Sequence, residues 1–204
     1  MSEMTLLDAA ARFADSHAER IAQRVAAVAF VTALTAAAAQ VSIPLAFTPV
    51  PFTLQPMIVL LGGAALGSRL GWSSQVLYLA LGAAGAPVFA AAGMLPNGAA
   101  RLLGPTGGYL VSFPIAAFVA GTLAERGFDR TYKTSVLAMA AGLLVIYAGG
   151  IAWLTFFTGP ALSIRSAITA GVTPFVLADV VKLFAAAGIL PAIWRLTGPN
   201  INRY

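Results

Sequence analysis

The sequence predicts an all-α integral membrane protein with six transmembrane helices, both termini in the cytoplasm, and a ligand pocket open to the outer face. Three observations carry this prediction. The 204 residues are 59% hydrophobic and 9% charged, with a mean hydropathy of +0.87, whereas a soluble domain holds about 25% charged residues. The apolar residues gather into six runs separated by turn-rich connections. Nine of the twelve lysines and arginines fall on alternate connections, which marks those connections as cytoplasmic. At about 20 residues per span, six helices use most of the chain. Residues 1–204 therefore read as one membrane domain, with 1–20 a cytoplasmic N-terminal helix and 21–204 the bundle. The net charge of +5 follows from this topology, so no nucleic-acid partner is expected. The chain has no cysteine, which excludes disulfides, thiol nucleophiles and cysteine-based metal sites.

Taken in order, residues 1–20 carry Glu3, Asp8, Asp15 and Glu19 and lack a small-residue cleavage site behind an apolar core. They are not a signal peptide. The stretch LLDAAARFADSHAERIAQRVAA reads as a partly amphipathic interfacial helix that runs on into the first span. The spans are 21–41, 52–68, 72–87, 106–125, 134–153 and 174–194. The second and third are short, as happens where helices tilt or enclose a cavity. Arg12 and Arg20 precede span one and Arg24 lies in its first turn, Arg69 joins spans two and three, Arg126, Arg130 and Lys133 join four and five, and Arg195 and Arg203 follow span six. The opposite side holds only Arg101 and Arg165, and Lys182 lies within the membrane. The outer connection SIPLAFTPVP is uncharged and proline-rich, hence stiff and extended. APVFAAAGMLPNGAARLLGP and LTFFTGPALSIRSAITAGVT are long, apolar and rich in Gly and Pro, and are expected to fold over the bundle as a lid.

Asp179 and Lys182 stand three apart in the sixth span, on one helix face. A charge at the centre of a span costs about 2.5–3.5 kcal/mol on insertion scales, so two of them need a reason. From the outer end of that span they lie roughly 8 Å and 12 Å deep at 1.5 Å per residue. The pair reads either as a ligand grip or as a structural ion pair. Gln55 and Tyr109 sit three residues into spans that also enter from outside, and Trp153 caps the outer end of span five with Tyr147 about two turns below. These groups place the pocket in the outer half. Gln55 can meet a ligand or a carbonyl freed by Pro51 or Pro56, and Tyr109 in LGPTGGYL can stack and donate or join the aromatic belt. Arg101 can meet a ligand carboxylate or lipid headgroups, and Asn97 in PNG is a turn residue before it is a ligand contact. Ala22, Ala26, Ala29, Ala33 and Ala37 give span one a small-residue face, with another span of the same chain as the expected partner. No catalytic set is present. The one histidine, His17, is N-terminal, Asp179 is the one carboxylate inside the spans apart from Glu125 at the very end of span four, and neither lysine follows a glycine as a phosphate-binding loop requires.

With FTPVPFTLQ after span one, LGPTGGYL at the start of span four and ADVVK in span six, the chain resembles the BioY family. These are the biotin-specific substrate-binding (S) components of energy-coupling factor transporters. The resemblance runs from Ala29 to about Gly188; Ala178 stands where the family usually has glycine, and 93–101 is less glycine-rich than is common. It implies biotin as the transported ligand, no cofactor, and a multi-pass protein of the bacterial inner membrane. It implies that Asp179 accepts from the ureido N–H groups while Lys182 donates to the carbonyl or to Asp179. Phe47, Tyr109, Tyr147 and Trp153 would wall the thiophane ring, with Gln55 and Asn97 as further contacts. Arg101 or the backbone N–H groups of Thr106, Gly107 and Gly108 would meet the carboxylate. It further implies a transmembrane coupling (T) protein and two cytoplasmic ATPases as partners, with Ala29 and Ala33 on the docking face. The alternatives are an S component for another vitamin, such as thiamine or riboflavin, and a membrane structural subunit that transports nothing.

Overall fold

The computed structural model describes residues 4–10, 16–91, 95–157 and 163–197. In these residues the helices are α1 (Leu6–Ala10), α2 (His17–Gln40), α3 (Gln55–Leu66), α4 (Ser68–Ala83), α5 (Gly107–Ala124), α6 (Tyr132–Phe157), α7 (Ile164–Gly171) and α8 (Val176–Thr197). Two short strands, β1 (Ser42–Ile43) and β2 (Phe52–Thr53), pair antiparallel, with Ser42 opposite Thr53. α2, α5, α6 and α8 are each long and apolar enough to cross a bilayer. α3 and α4 have 12 and 16 residues, roughly 18 Å and 24 Å at 1.5 Å per residue, against a hydrocarbon core of about 30 Å.

The N-terminal helix does not run on into the first span. Thr5 and Asp8 cap α1 reciprocally, Asp8 N–H donating to Thr5 Oγ1 and Thr5 N–H to Asp8 Oδ2. Ser16 then caps α2 with extended backbone (φ −125°, ψ 158°), its Oγ accepting from Glu19 N–H at 3.1 Å. The first is a reciprocal capping box, T-x-x-D, and the second a serine N-cap in an S-x-x-E pattern, and each satisfies a donor that a helix start leaves open. Both patterns stand in the sequence and outweigh its helical periodicity.

α5 is the central helix. Ala116, Ala117, Ala120 and Ala124 are at most 1% exposed, and these small residues let α3, α4 and α6 close on it. The expectation that the small face of α2 packs inside the chain is not met. Ala22, Ala26, Ala29, Ala33 and Ala37 are all exposed. α2 instead faces the bundle with Val31, Thr32, Thr35, Ala38 and Ala39. Thr32 Oγ1 donates to Ser74 C=O at 2.9 Å and Gln75 Nε2 to Thr35 Oγ1 at 3.3 Å, joining α2 to α4 through polar groups.

The two ends of the bundle are built differently. At one end α3 turns into α4 at Gly67, whose φ of +85° is a conformation that favours glycine. The Glu125 carboxylate caps the new helix by accepting from Ser68 N–H (2.7 Å) and Ser68 Oγ (2.9 Å). Arg130 lies 3.4 Å from the centre of the Trp194 ring, Trp194 Nε1 donates to Asp129 Oδ2 at 2.6 Å, and Arg130 also donates to Met4 C=O. The other end holds the β1–β2 hairpin, the 84–106 connection with its 3-10 turn Ala99–Arg101, and α7. The 42–51 connection, expected to be extended throughout, is extended at Ser42–Ile43 and then turns through Ala46 and Phe47, with Thr48 N–H donating to Leu45 C=O; neither the β pairing nor α7 was anticipated.

Candidate ligand-binding site

A cavity opens at the hairpin end, with about 720 Å³ free of atoms, its mouth included. Six parts of the chain converge on it: the hairpin, the start of α3, the connection between α4 and α5, the first half of α5, the middle of α6, and the α7–α8 junction with the start of α8. Its wall is mostly apolar, with Val50, Phe89, Leu110, Phe113, Ile146 and Phe175. The polar groups are few and placed: Asp179, Lys182, Gln55, Tyr109, Tyr147, Thr106 and Arg101. A concave apolar wall with a handful of polar groups is what a small-molecule site requires.

Asp179 and Lys182 form the polar centre. Lys182 Nζ donates to Asp179 Oδ1 at 2.7 Å and to Thr53 C=O at 2.7 Å, and lies 3.6 Å from the centre of the Phe52 ring. The Tyr147 hydroxyl donates to Asp179 Oδ2 at 2.6 Å. Asp179 is only 6% exposed, and a charge buried that far is tolerated only when paired and hydrogen-bonded. Both of its oxygens have a donor, and each keeps a lone pair in reserve. Lys182 has three protons and two hydrogen-bond acceptors, so the third remains for a ligand. Behind the pair lies a smaller, apolar recess of about 230 Å³ formed by Met57, Leu60, Met139, Leu143, Leu183 and Ala186. The pair thus lines both cavities.

Tyr109 is locked in place. Its hydroxyl donates to Gly171 C=O at 2.8 Å, tying α5 to the end of α7. Its ring lies so close to Gly150 that a side chain there would overlap it. Among the described residues no cluster of three or more His, Asp or Glu side chains could hold a metal ion.

The BioY family model matches residues 8–199. The chain belongs to the BioY family. It is 46% identical over 165 residues to a probable biotin transporter BioY of Pyrococcus horikoshii, covering 81% of this chain and 92% of the relative. It is 44% identical over 165 residues to the biotin transporter BioY of Thermotoga maritima, covering the same shares, 81% and 92%. Among solved structures it is similar to an S-component for biotin from an ECF-type ABC transporter, with a TM-score of 0.76 at 24% identity, covering 89% of this chain and 95% of that one. That likeness establishes the fold: a mostly helical membrane protein.

The three BioY-like stretches supply much of the site. FTPVPFTLQ gives the hairpin and Gln55, LGPTGGYL gives Thr106 and Tyr109, and ADVVK gives Asp179 and Lys182. Of the residues expected from sequence, Asp179, Lys182, Gln55, Tyr109, Tyr147, Thr106 and Arg101 line the cavity. Five expected contacts lie off its wall. Phe47 is 72% exposed at the hairpin tip, carried there because β1 and β2 pair and the loop between them turns outward. Asn97 is exposed in the turn before Ala99–Arg101. Trp153 points at the start of α5, its Nε1 donating to Gly104 C=O at 2.8 Å. Gly107 and Gly108 are buried where α5 meets Trp153, so their backbone faces protein.

Other residues change role. Tyr147 is a hydrogen-bond donor to Asp179 as well as a wall. Gln55 donates to the Tyr78 hydroxyl at 2.7 Å and not to a carbonyl freed by proline. Arg101 turns inward, its Nη1 donating to Ala90 C=O at 2.8 Å. Sequence reasoning missed Tyr78 and the Thr53 carbonyl. Tyr78 had a signal, since Gln75 and Tyr78 share one face of an otherwise greasy span. The Thr53 carbonyl had none, because every residue has one.

Proposed function

We propose that this chain captures biotin at the outer face of a bacterial inner membrane. It carries the vitamin inward as the S component of an energy-coupling factor transporter. The carrying observation is the Asp179–Lys182 pair on the wall of an apolar cavity, with one Lys182 proton and spare carboxylate lone pairs available. Biotin's ureido ring offers two N–H donors and one carbonyl acceptor. Asp179 accepts from a ureido N–H and Lys182 meets the carbonyl, so both charged groups stay paired on desolvation. The apolar wall suits the thiophane ring and valerate chain. Arg101 is the group for the carboxylate, since its Nε is buried with no hydrogen-bond partner among the described residues.

Outward opening is supported by charge. The end opposite the cavity carries Arg20, Arg24, Arg69, Arg126, Arg130, Lys133 and Arg195, while the cavity end carries Arg101, Lys182 and Arg165. The basic end is therefore read as the cytoplasmic one, and six crossings, by α2–α6 and α8, would bring the chain back to that side. Ala29 and Ala33, exposed on α2, form a flat face on which the coupling protein can seat closely. The two ATPases supply the energy. The deciding experiment is equilibrium binding of radiolabelled biotin, thiamine and riboflavin to the purified protein in detergent. Saturable biotin binding is expected, with the other two excluded. Binding of another vitamin in its place would move the chain to a different S-component specificity. No saturable ligand, together with tolerance of a paired Asp179→Leu, Lys182→Leu exchange, would make the pair structural.

A further inference from the structure

We infer that Tyr78 is a positioning residue for ligand recognition: it fixes the Gln55 side-chain amide so that its oxygen, and not its nitrogen, faces the cavity. The argument follows proton direction along one hydrogen-bonded chain. The Val88 carbonyl can only accept, and its partner is the Tyr78 hydroxyl at 3.1 Å. Tyr78 spends its single proton there, so toward Gln55, 2.7 Å away, its oxygen must accept. The amide arm facing Tyr78 is then the NH₂, and the carbonyl arm is left for the cavity that Gln55 lines.

The chain is rigid at every link. Tyr78 is fully buried, with its ring edge-on to Phe89 (centroids 5.5 Å apart, 82°) and tilted against Phe113 (6.5 Å). The segment supplying the Val88 carbonyl is itself held from α2, where Gln40 Nε2 donates to Pro87 C=O and Phe89 C=O, both at 3.3 Å. Gln55 is 3% exposed, so an amide flip would leave a buried NH₂ facing the cavity and a carbonyl facing an oxygen that has no proton to give. A glutamine without such a partner is ambivalent, able to donate or accept. Held by Tyr78 it presents an acceptor, and the cavity then offers two separate acceptors, Gln55 and Asp179, to a ligand carrying two N–H groups. A ligand that presents a carbonyl or an alkylated nitrogen at Gln55 leaves a buried polar group unpaired and is rejected.

This rests on the biotin reading above and deepens it. The test is equilibrium binding in detergent of biotin and of its two isomers methylated on one or the other ureido nitrogen. The proteins are the unaltered chain, Tyr78→Phe, Gln55→Met and the double variant. Tyr78→Phe is expected to weaken biotin about tenfold and to shrink the discrimination against one methylated isomer about tenfold, leaving that against the other unchanged. Gln55→Met is expected to lose the same discrimination, and the double variant to bind no more weakly than Gln55→Met. A purely structural tyrosine would lower stability without changing the ratio of dissociation constants between isomers. Full discrimination against both isomers in Tyr78→Phe, or losses that multiply in the double variant, would overturn the inference. Should Tyr78→Phe yield no folded protein, Gln55→Met decides alone, and retained discrimination against both isomers overturns the assigned polarity. Failure of the parent reading shows first and separately, as absence of saturable biotin binding by the unaltered chain.

Discussion

Asp179 and Lys182 neutralise each other inside an apolar wall, and each is further held from outside its own helix. Tyr147 on α6 donates to Asp179, and the Thr53 carbonyl of β2 accepts from Lys182. Removing one charge therefore leaves the other buried without its counterpart, which is far costlier than removing both. Asp179→Asn keeps the shape, abolishes the ion pair and replaces one acceptor oxygen by a donor. Its dissociation constant for biotin, measured in detergent, is expected to rise at least about tenfold. An unchanged constant would detach Asp179 from the ligand. The choice of Asp and Lys at this spacing was legible from sequence, because a polar pair in a span is conspicuous. Tyr147 and Thr53 were not legible as their partners, because they lie 32 and 129 residues away and only packing brings them near.

Elements in this protein are positioned by close backbone approach, and small residues permit it. α5 meets α6 where Gly150 leaves room for the Tyr109 ring, and Tyr109 in turn reaches Gly171 at the end of α7. Gly150→Ala would drive a methyl group into that ring. Overpacking of this kind costs about 1–3 kcal/mol, and the shift would also reach the cavity wall through Tyr109. The expected result is a lower thermal midpoint in detergent together with weaker biotin binding. An unshifted midpoint would mean that α5 and α6 separate easily. The same logic explains why the short helices α3 and α4 were harder to delimit than α5 or α8. Their ends are set by Gly67 and by the Glu125 carboxylate at Ser68, neither of which follows from apolar periodicity.

The whole molecule has a cavity at one end, a basic opposite end, and an exposed small-residue face along α2. The absence of cysteine makes the orientation directly testable. Arg165→Cys on exposed α7 lies at the cavity end, and Lys133→Cys at the start of α6 lies at the other. In intact cells a membrane-impermeant maleimide is expected to label position 165 and spare position 133, and the reverse pattern would turn the cavity toward the cytosol. Ala29→Trp places a bulky ring on the exposed face of α2, away from the cavity lining. Biotin binding should be unchanged and ATP-driven uptake lost. Undiminished uptake would remove that face from the docking surface.

By itself the sequence determined the membrane class, the six apolar runs, the asymmetry of basic residues and the buried pair. All of these are sums or spacings along the chain, since transfer free energy adds residue by residue and helix faces repeat at 3.6. Its N-cap residues Thr5 and Ser16 also encoded the break between α1 and α2, a local signal that periodicity had masked. Only the tertiary structure decided which polar groups meet. It turned Phe47 outward, aimed Trp153 at Gly104, exposed Ala29 and Ala33, and joined Val88, Tyr78 and Gln55 into one directed chain. Such contacts depend on how helices close on one another, because hydrogen bonds act within about 3 Å while the partners stand tens of residues apart in the chain.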